Sequence, residues 1–188
     1  MVGQSLKIRA FIALPVDKLF YPEVTDLRSE LVSDFALQPE VIQWTNNKQL
    51  HLTLFFLGDQ TADALAELAD MITKADVQPE IDFHCTNVGL FPEQHPTVIA
   101  LTGECPFKLM ALRNTVASAL SLANTVPHTT HDNSIFLPHV TLGKVKQTAD
   151  FKSRTINLKI LFSRMVLFRS ELRYPEKVVH TPLYTWAV

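Results

Sequence analysis

The sequence predicts a mixed α+β fold in a single domain over residues 1–188, and three observations lead to that prediction. Segments with the two-residue alternation of a strand are interspersed with segments whose apolar residues recur every three or four positions, as in a helix. With 188 residues, one core can bury roughly 70% of the surface of the unfolded chain, so no second domain is needed. Hydrophobic residues make up 47% of the chain, and no segment is polar enough to be disordered.

The first two elements are a strand and a helix. Residues 7–14 alternate between two faces and stop at Pro15, which predicts a half-buried strand. From Glu23 to Phe35 apolar residues recur at three- and four-residue steps, and Pro22 stands where a first helical turn tolerates proline. An amphipathic helix is predicted there.

Two strands and a second helix follow. Val41 to Trp44 and Leu50 to Leu57 are expected to pair as a hairpin around a turn at Asn46-Asn47, and Gly58 is expected to close the second strand. Helical spacing resumes from Ala62 to Lys74. This helix is expected to bury Leu65, Leu68, Met71 and Ile72.

The second half of the chain continues the alternation. One helix is predicted from Pro106 to Ala123. Six segments lack helical spacing and are rich in β-branched, aromatic or aliphatic residues, which predicts strands. These segments are Ile81 to Leu90, Thr97 to Thr102, His139 to Lys144, Ile156 to Phe162, Met165 to Ser170 and Pro182 to Val188.

Composition limits the classes of function. A net charge of −2 argues against a protein that coats long nucleic acids but leaves room for a local phosphate site. The N-terminus carries no cleavage signature and no run approaches the length of a membrane span, so a cytoplasmic protein without a membrane partner is expected. Cys85 and Cys105 are expected to be reduced and structural, and we expect a monomer.

One four-residue pattern occurs twice in the sequence. His51-Leu52-Thr53-Leu54 and His139-Val140-Thr141-Leu142 share the order His, aliphatic, Thr, Leu. On a strand, His and Thr share one face while the two aliphatic residues point to the core. If the halves pack around an approximate twofold axis, both His-Thr pairs face one ligand across a cleft.

This set of side chains suits phosphoryl chemistry without a metal or cofactor. An unperturbed histidine pKa near 6.5 lets one imidazole donate a proton while the other accepts one. Threonine hydroxyls can donate hydrogen bonds to the non-bridging oxygens of a phosphate as charge builds there. A single histidine on a strand is more often a satisfied structural residue, and the repetition of the whole pattern argues against that interpretation here.

The two motifs resemble the twin HxTx motifs of the two-histidine (2H) phosphoesterases. HLTLFFLG and PHVTLGK carry the resemblance, in a frame that includes RAFIALP, VGLFPEQHPTVIAL and VLFRSELRYPEKVVHTPLYTWAV. The surrounding sequence resembles the bacterial and archaeal RNA 2′,3′-cyclic phosphodiesterases of the ThpR or LigT group. The resemblance implies a bilobal fold with a cleft between pseudo-symmetric halves, built on central antiparallel sheets. It also implies hydrolysis of a 2′,3′-cyclic phosphate on RNA ends or nucleotides to a 2′-phosphomonoester, and some relatives join 2′–5′ linkages.

Roles for individual residues follow from the same resemblance. His51 would be the proton donor to the departing 3′ oxygen and His139 the proton acceptor that activates water. Thr53 and Thr141 would bind the phosphoryl oxygens. Many relatives have arginines where this chain has Leu137 and Lys144. Lys144 is a further substrate-binding candidate, although it lacks the bidentate fork of arginine and, by simple strand alternation, would lie on the face opposite His139.

Other interpretations remain open at this point. His128, His131 and His139 form a weak zinc-site pattern without a supporting carboxylate or cysteine, so no metal is expected. An aromatic residue can stack on a base, with core packing as the alternative role. The candidates are Phe55, Phe56, Phe91 and Phe136. The alternative function is a non-catalytic module of the same fold that binds a phosphate or nucleotide.

Overall fold

The computed structural model describes residues 7–34, 41–92, 96–123, 125, 136–146, 151–173 and 177–187. The described part of the chain contains nine strands and three α-helices. They are β1 Ile8–Pro15, α1 Tyr21–Asp34, β2 Ile42–Trp44, β3 His51–Gln60, α2 Ala62–Lys74, β4 Ile81–Phe91, β5 Val98–Thr102, α3 Phe107–Leu122, β6 His139–Val145, β7 Arg154–Phe162, β8 Arg164–Arg173 and β9 Lys177–Ala187. Each predicted helix and strand is present, and only the predicted ends at Phe35 and Val188 lie outside the described residues.

All nine strands form one antiparallel sheet, with the order β7-β4-β5-β6-β3-β1-β8-β9 and β2 beside β6. The centre of this sheet is the contact between β3 and β6, where Leu52 pairs with Val140. We refer to β3, β1, β8 and β9 as the β3 half, and to β6, β5, β4 and β7 as the β6 half. The expected pseudo-symmetric α+β architecture is therefore confirmed, with its two halves joined through one continuous sheet.

The predicted hairpin of β2 with β3 is wrong. Both strands instead follow one edge of β6, where β2 pairs over Gly143 to Val145 and β3 pairs at Val140. A 3-10 turn over Asn47–Gln49 separates them and is capped by the side chain of Asn46. A Cβ atom on Gly143 would lie 2.9 Å from Ile42 Cγ2 and 3.0 Å from the Gln43 carbonyl oxygen, so the glycine is what allows β2 to approach.

The helices cross between the two halves. Helix α1 follows β1, yet its Glu30 accepts a 2.8 Å hydrogen bond from Arg154 of β7 in the β6 half. Helix α3 follows β5, yet its Arg113 lies over the ring of Phe55 in β3. Each half is thus covered in part by a helix that follows a strand of the other half.

One cluster of buried side chains joins the helices to the sheet. In α2 the predicted Leu65, Leu68 and Ile72 are buried, whereas Ala69 is buried in place of the half-buried Met71. Cys85 and Cys105 are both free thiols, the first buried and the second half-buried. Among the described residues no helix is long and apolar enough to cross a bilayer.

Candidate active site

The two motifs meet at the centre of the sheet. His51 and His139 each begin their strand, and the antiparallel pairing one residue later makes His51 level with Thr141 and His139 level with Thr53. The intervening aliphatic residues are buried in the core, so the four polar side chains share the opposite face, which we call the cleft face. Two half-buried imidazoles and two hydroxyls therefore occupy one patch of that face.

Each histidine ring is oriented by a backbone carbonyl two residues earlier. His51 Nδ1 lies 2.6 Å from the Gln49 carbonyl oxygen, and His139 Nδ1 lies 2.9 Å from that of Leu137. A carbonyl oxygen can only accept, so Nδ1 carries the proton in both rings and donates it. This leaves Nε2 of each neutral ring as a free proton acceptor, or as a donor once the ring is charged.

Burial disfavours the charged form of both rings. The pKa of His51 falls to about 4, mainly because of desolvation, although its bond to the Gln49 carbonyl opposes the change. Positive charge on His180 or on His139 lowers the pKa of His51 further. Desolvation also lowers the pKa of His139, against the effect of its bond to the Leu137 carbonyl.

A bulge in each motif strand changes which later residues face the cleft. In β6, Ala100 pairs with Thr141 but Ile99 pairs with Gly143, so Leu142 is an extra residue. In β3, Ala13 pairs with Thr53 but Ile12 pairs with Phe55, so Leu54 is the matching extra residue. The fifth residue after each histidine, Phe56 or Lys144, therefore returns to the cleft face.

The prediction that Lys144 lies opposite His139 is wrong for this reason. Lys144 pairs with Val98, two residues from the Ala100 that pairs with Thr141, so Lys144 shares the face of Thr141. Its side chain is exposed. Simple alternation failed because it cannot register an inserted residue.

The four candidate stacking aromatics separate into two pairs. Phe55 and Phe136 lie 4.6 and 4.5 Å from the Arg113 guanidinium and hold it between them, so their role is packing. Phe56 is 59% exposed on the cleft face. Phe91 packs against the ring of His139 itself, with centroids 4.2 Å apart, which covers one of its faces.

Among the described residues, no cluster of three His, Cys, Asp or Glu side chains could hold a metal ion. His128 and His131 of the weak zinc-site pattern lie outside the described residues.

Comparison with known proteins identifies the family of this chain. Residues 20–170 match the model of the 2′-5′ RNA ligase superfamily. The chain belongs to that superfamily. Membership agrees with the resemblance to 2H phosphoesterases that the two motifs carry.

Two curated relatives of this chain bear the same description. An RNA 2′,3′-cyclic phosphodiesterase of Thermotoga maritima is 26% identical over 185 residues, which is 94% of each chain. An RNA 2′,3′-cyclic phosphodiesterase of Archaeoglobus fulgidus is 30% identical over 145 residues, which is 74% of each chain.

Several solved structures share the fold of this chain. LigT of E. coli in its apo form has a TM-score of 0.76 at 22% identity and covers 97% of this chain and 98% of its own. A structure described only as a phosphoesterase has a TM-score of 0.78 at 22% identity, covering 97% and 99%. LigT has also been solved in complex with 3′-AMP.

Two residues of this superfamily member's cleft were missed in the sequence. Phe11 of β1 lies under the His51 ring with centroids 5.1 Å apart, and His180 of β9 lies 5.5 Å from the same ring. Both residues sit in ordinary alternating strands. Their approach depends on the register and coil of the sheet, for which a single sequence carries no signal.

Proposed function

We propose that this chain is an RNA 2′,3′-cyclic phosphodiesterase that hydrolyses the cyclic phosphate to a 2′-phosphomonoester by metal-independent acid–base catalysis. Water attacks phosphorus opposite the 3′ oxygen, and His139 Nε2 takes its proton. The bond from phosphorus to the 3′ oxygen breaks as His51 Nε2 donates a proton to that oxygen. Thr53 and Thr141 donate hydrogen bonds to the non-bridging oxygens.

One observation carries this proposal, namely the antiparallel pairing of the two motifs at Leu52 and Val140. An in-line displacement needs a proton acceptor and a proton donor on opposite sides of phosphorus, with hydrogen-bond donors for the equatorial oxygens. A pair of antiparallel His-x-Thr strands suits that arrangement, because each histidine is level with the threonine of the other strand. The descriptions of the curated relatives support the same reaction.

The surroundings of the two histidines support His51 as the acid. The leaving oxygen belongs to the ribose, so the acid acts on the side of phosphorus where the nucleoside lies. Phe56 offers an exposed ring in the β3 half, and Phe11 lies between it and His51, with ring centroids 6.3 and 5.1 Å away. Phe91, on the His139 side, already packs against a histidine. We infer that the base stacks on Phe56 and the water enters from the His139 side.

Lys144 is the charged counterpart of Phe56 in the other half. Both residues follow their histidine by five positions and return to the cleft face after a bulge. An exposed ammonium there suits a further phosphate of an RNA chain rather than the reacting one. Lys144 therefore favours RNA ends over cyclic mononucleotides in this proposal.

The direct test is hydrolysis of 2′,3′-cyclic AMP by the purified protein in EDTA. His51→Ala and His139→Ala should each lower kcat/KM by roughly 10²–10⁴-fold, because each removes one proton-transfer group. Thr53→Val and Thr141→Val should each cost about 3 kcal/mol of transition-state stabilisation. The matched controls are His84→Ala and Thr155→Val, which change the same residue types on β4 and β7 and should retain activity.

The outcomes separate catalysis from binding alone. Turnover that vanishes in EDTA and returns with added zinc or manganese would contradict the metal-independent mechanism. Tight binding of 2′-AMP without turnover of any cyclic phosphate would instead favour the non-catalytic binding module.

The assignment of acid and base needs a substrate whose 3′ leaving group is far less basic than an alkoxide. Such a group departs without protonation, so His51→Ala should regain most of the lost rate while His139→Ala should not. The reverse pattern of rescue would exchange the two roles.

A further inference from the structure

His180 is a third histidine on the cleft face. Its ring lies edge-on to that of His51, with centroids 5.5 Å apart and planes at 90°. It also meets the ring of Phe11 at 4.8 Å and 75°. His180, Phe11 and His51 thus form one packed group beside the proposed reaction centre.

This contact joins two distant corners of the β3 half. His51 pairs with Pro15 at one end of β1, whereas His180 pairs with Ser170, next to the Arg169 that pairs with Ala10 at the other end. Five or six residues of β1 separate these rows, which is roughly 17–20 Å along a flat strand. The coil of the sheet brings the two corners together over Phe11.

Gln49 connects the segment that carries His51 with the strand that carries His180. Its backbone carbonyl accepts the Nδ1 proton of His51, and its side-chain amide donates a 2.8 Å hydrogen bond to the carbonyl of Val178 on β9. Val178 is two residues from His180 and shares its face. One residue therefore orients His51 and anchors the strand that carries His180.

Packing alone does not account for a histidine at this position. The Nδ1 atom of His180 is buried and has no hydrogen-bond partner among the described residues. Leaving a buried polar atom unpaired costs stability, so a phenylalanine would fill the space beside Phe11 more favourably. The imidazole is therefore better explained by an effect on its titrating neighbour, His51.

We propose that His180 is a positioning residue for His51, one that holds the His51 ring edge-on and repels a second positive charge from it. This role rests on the proposed function, in which His51 must become charged to act as the acid. When His180 carries a proton, His51 gains its own proton only at lower pH. Proton uptake by the cleft thus involves three coupled imidazoles, with His180 restraining the charge on His51.

Other charged residues lie on the strands and the turn near His180. Arg9 of β1 and Asp59 of β3 pair with each other in register, and Lys48 lies in the turn before β3. Arg169 and Glu171 of β8 flank the register partner of His180 and so alternate to the other face. Across the centre of the sheet, His139 also acts on His51. Among the described titratable side chains, His51 is the one whose ring packs against His180.

The test is an NMR titration of the imidazole signals in uniformly labelled protein. His180→Gln removes the titrating ring and keeps a neutral polar side chain of similar length, so the midpoint of His51 should rise by about one pH unit. His180→Asn should act in the same direction and serves if the first variant unfolds. The matched control, His84→Gln on β4, should leave the His51 midpoint unchanged.

Two further measurements separate this role from a structural one. In the pH profile of kcat/KM, His180→Gln should move the acid limb to higher pH and leave the alkaline limb in place. His180→Phe should unfold at the same temperature as the wild type or higher at pH 8. An unchanged His51 midpoint in folded variants, or a large loss of stability in His180→Phe, would overturn the proposal. The NMR result does not depend on turnover, so it holds even if cyclic phosphates prove not to be substrates.

Discussion

At the scale of single residues, the two motif histidines of the unliganded cleft take up protons in the reverse of the order that the proposed mechanism uses. Desolvation and positive charge on His180 lower the pKa of His51 to about 4, whereas burial is the one cause that lowers the pKa of His139. The first proton taken up by the pair therefore goes to His139, the proposed base. In the proposed mechanism, the anionic cyclic phosphate transfers that preference to His51, because a phosphate oxygen beside its Nε2 favours the charged ring.

The lowered pKa values of the cleft histidines predict the pH dependence of the wild-type enzyme. All three cleft histidines have pKa values below 6.5 in the free protein, so both limbs of the kcat/KM profile should lie on the acid side of 6.5. The limbs of kcat report the complex, where the bound phosphate raises the histidine pKa values, and should lie at higher pH. Initial rates at limiting and saturating 2′,3′-cyclic AMP from pH 4 to 9 measure both. A kcat/KM optimum at or above pH 7 would contradict the lowered pKa values.

At the scale of elements, the bulges after the two motifs shape the cleft. Each inserts one leucine after the His-x-Thr triplet, Leu54 or Leu142, and turns the fifth residue after the histidine back to the cleft face. The shared device means that the two halves present equivalent positions with different chemistry, an aromatic ring in one and an ammonium in the other. The two ends of the pseudo-symmetric site therefore differ chemically, which favours one orientation of the substrate.

This chemical difference between the two halves predicts that Lys144→Met changes KM for an oligonucleotide more than for a mononucleotide. Loss of one phosphate contact should raise KM for an oligonucleotide with a 2′,3′-cyclic end by about 3–10-fold and reduce the slope of log KM against log salt by about 0.7. Hydrolysis of the mononucleotide should change little, because it has no further phosphate at this position. Lys108→Met, on the exposed face of α3, is the matched control. An equal loss for both substrates would mean that Lys144 acts at the reacting phosphate.

Local sequence signals predicted the elements well, and nonlocal pairing accounts for what they missed. Helix α2 was predicted with its observed limits, Ala62–Lys74. The signals that define it, its cap at Thr61 and its apolar periodicity, are all local in sequence. Strand alternation in the first His-aliphatic-Thr-Leu motif correctly predicted that Leu52 and Leu54 lie in the core. In contrast, the partner of β2 depends on Gly143, a hundred residues away, and the face of Lys144 depends on an offset against β5. His180 was not predicted as a cleft residue, because its proximity to His51 arises only from the coil of the four strands of the β3 half.

At the scale of the whole molecule, the crossing of α1 and α3 ties the halves together. Arg28 of α1 donates hydrogen bonds to two backbone carbonyls. The carbonyl of Thr45 lies directly after β2, and the carbonyl of Leu142 belongs to the second motif. Arg113 of α3 lies between Phe55 of β3 and Phe136, three residues before His139. Each helix therefore contacts segments next to both motifs, so neither half can lose its helix without exposing part of the other.

This crossing predicts that the chain unfolds as one cooperative unit, and its two tryptophans are placed to test it. Trp44 of β2 packs beside Gly143 in the β6 half, and Trp186 of β9 donates a 3.0 Å hydrogen bond to Thr73 of α2 in the β3 half. In Trp186→Phe the fluorescence of Trp44 reports on the β6 half alone. In Trp44→Phe the fluorescence of Trp186 reports on the β3 half alone. For each variant, the urea transition by fluorescence should coincide with the transition by far-ultraviolet circular dichroism, which averages over the whole chain. If the halves unfolded separately, fluorescence would precede circular dichroism in one variant and lag behind it in the other, and residues 1–188 would form two folding units rather than one.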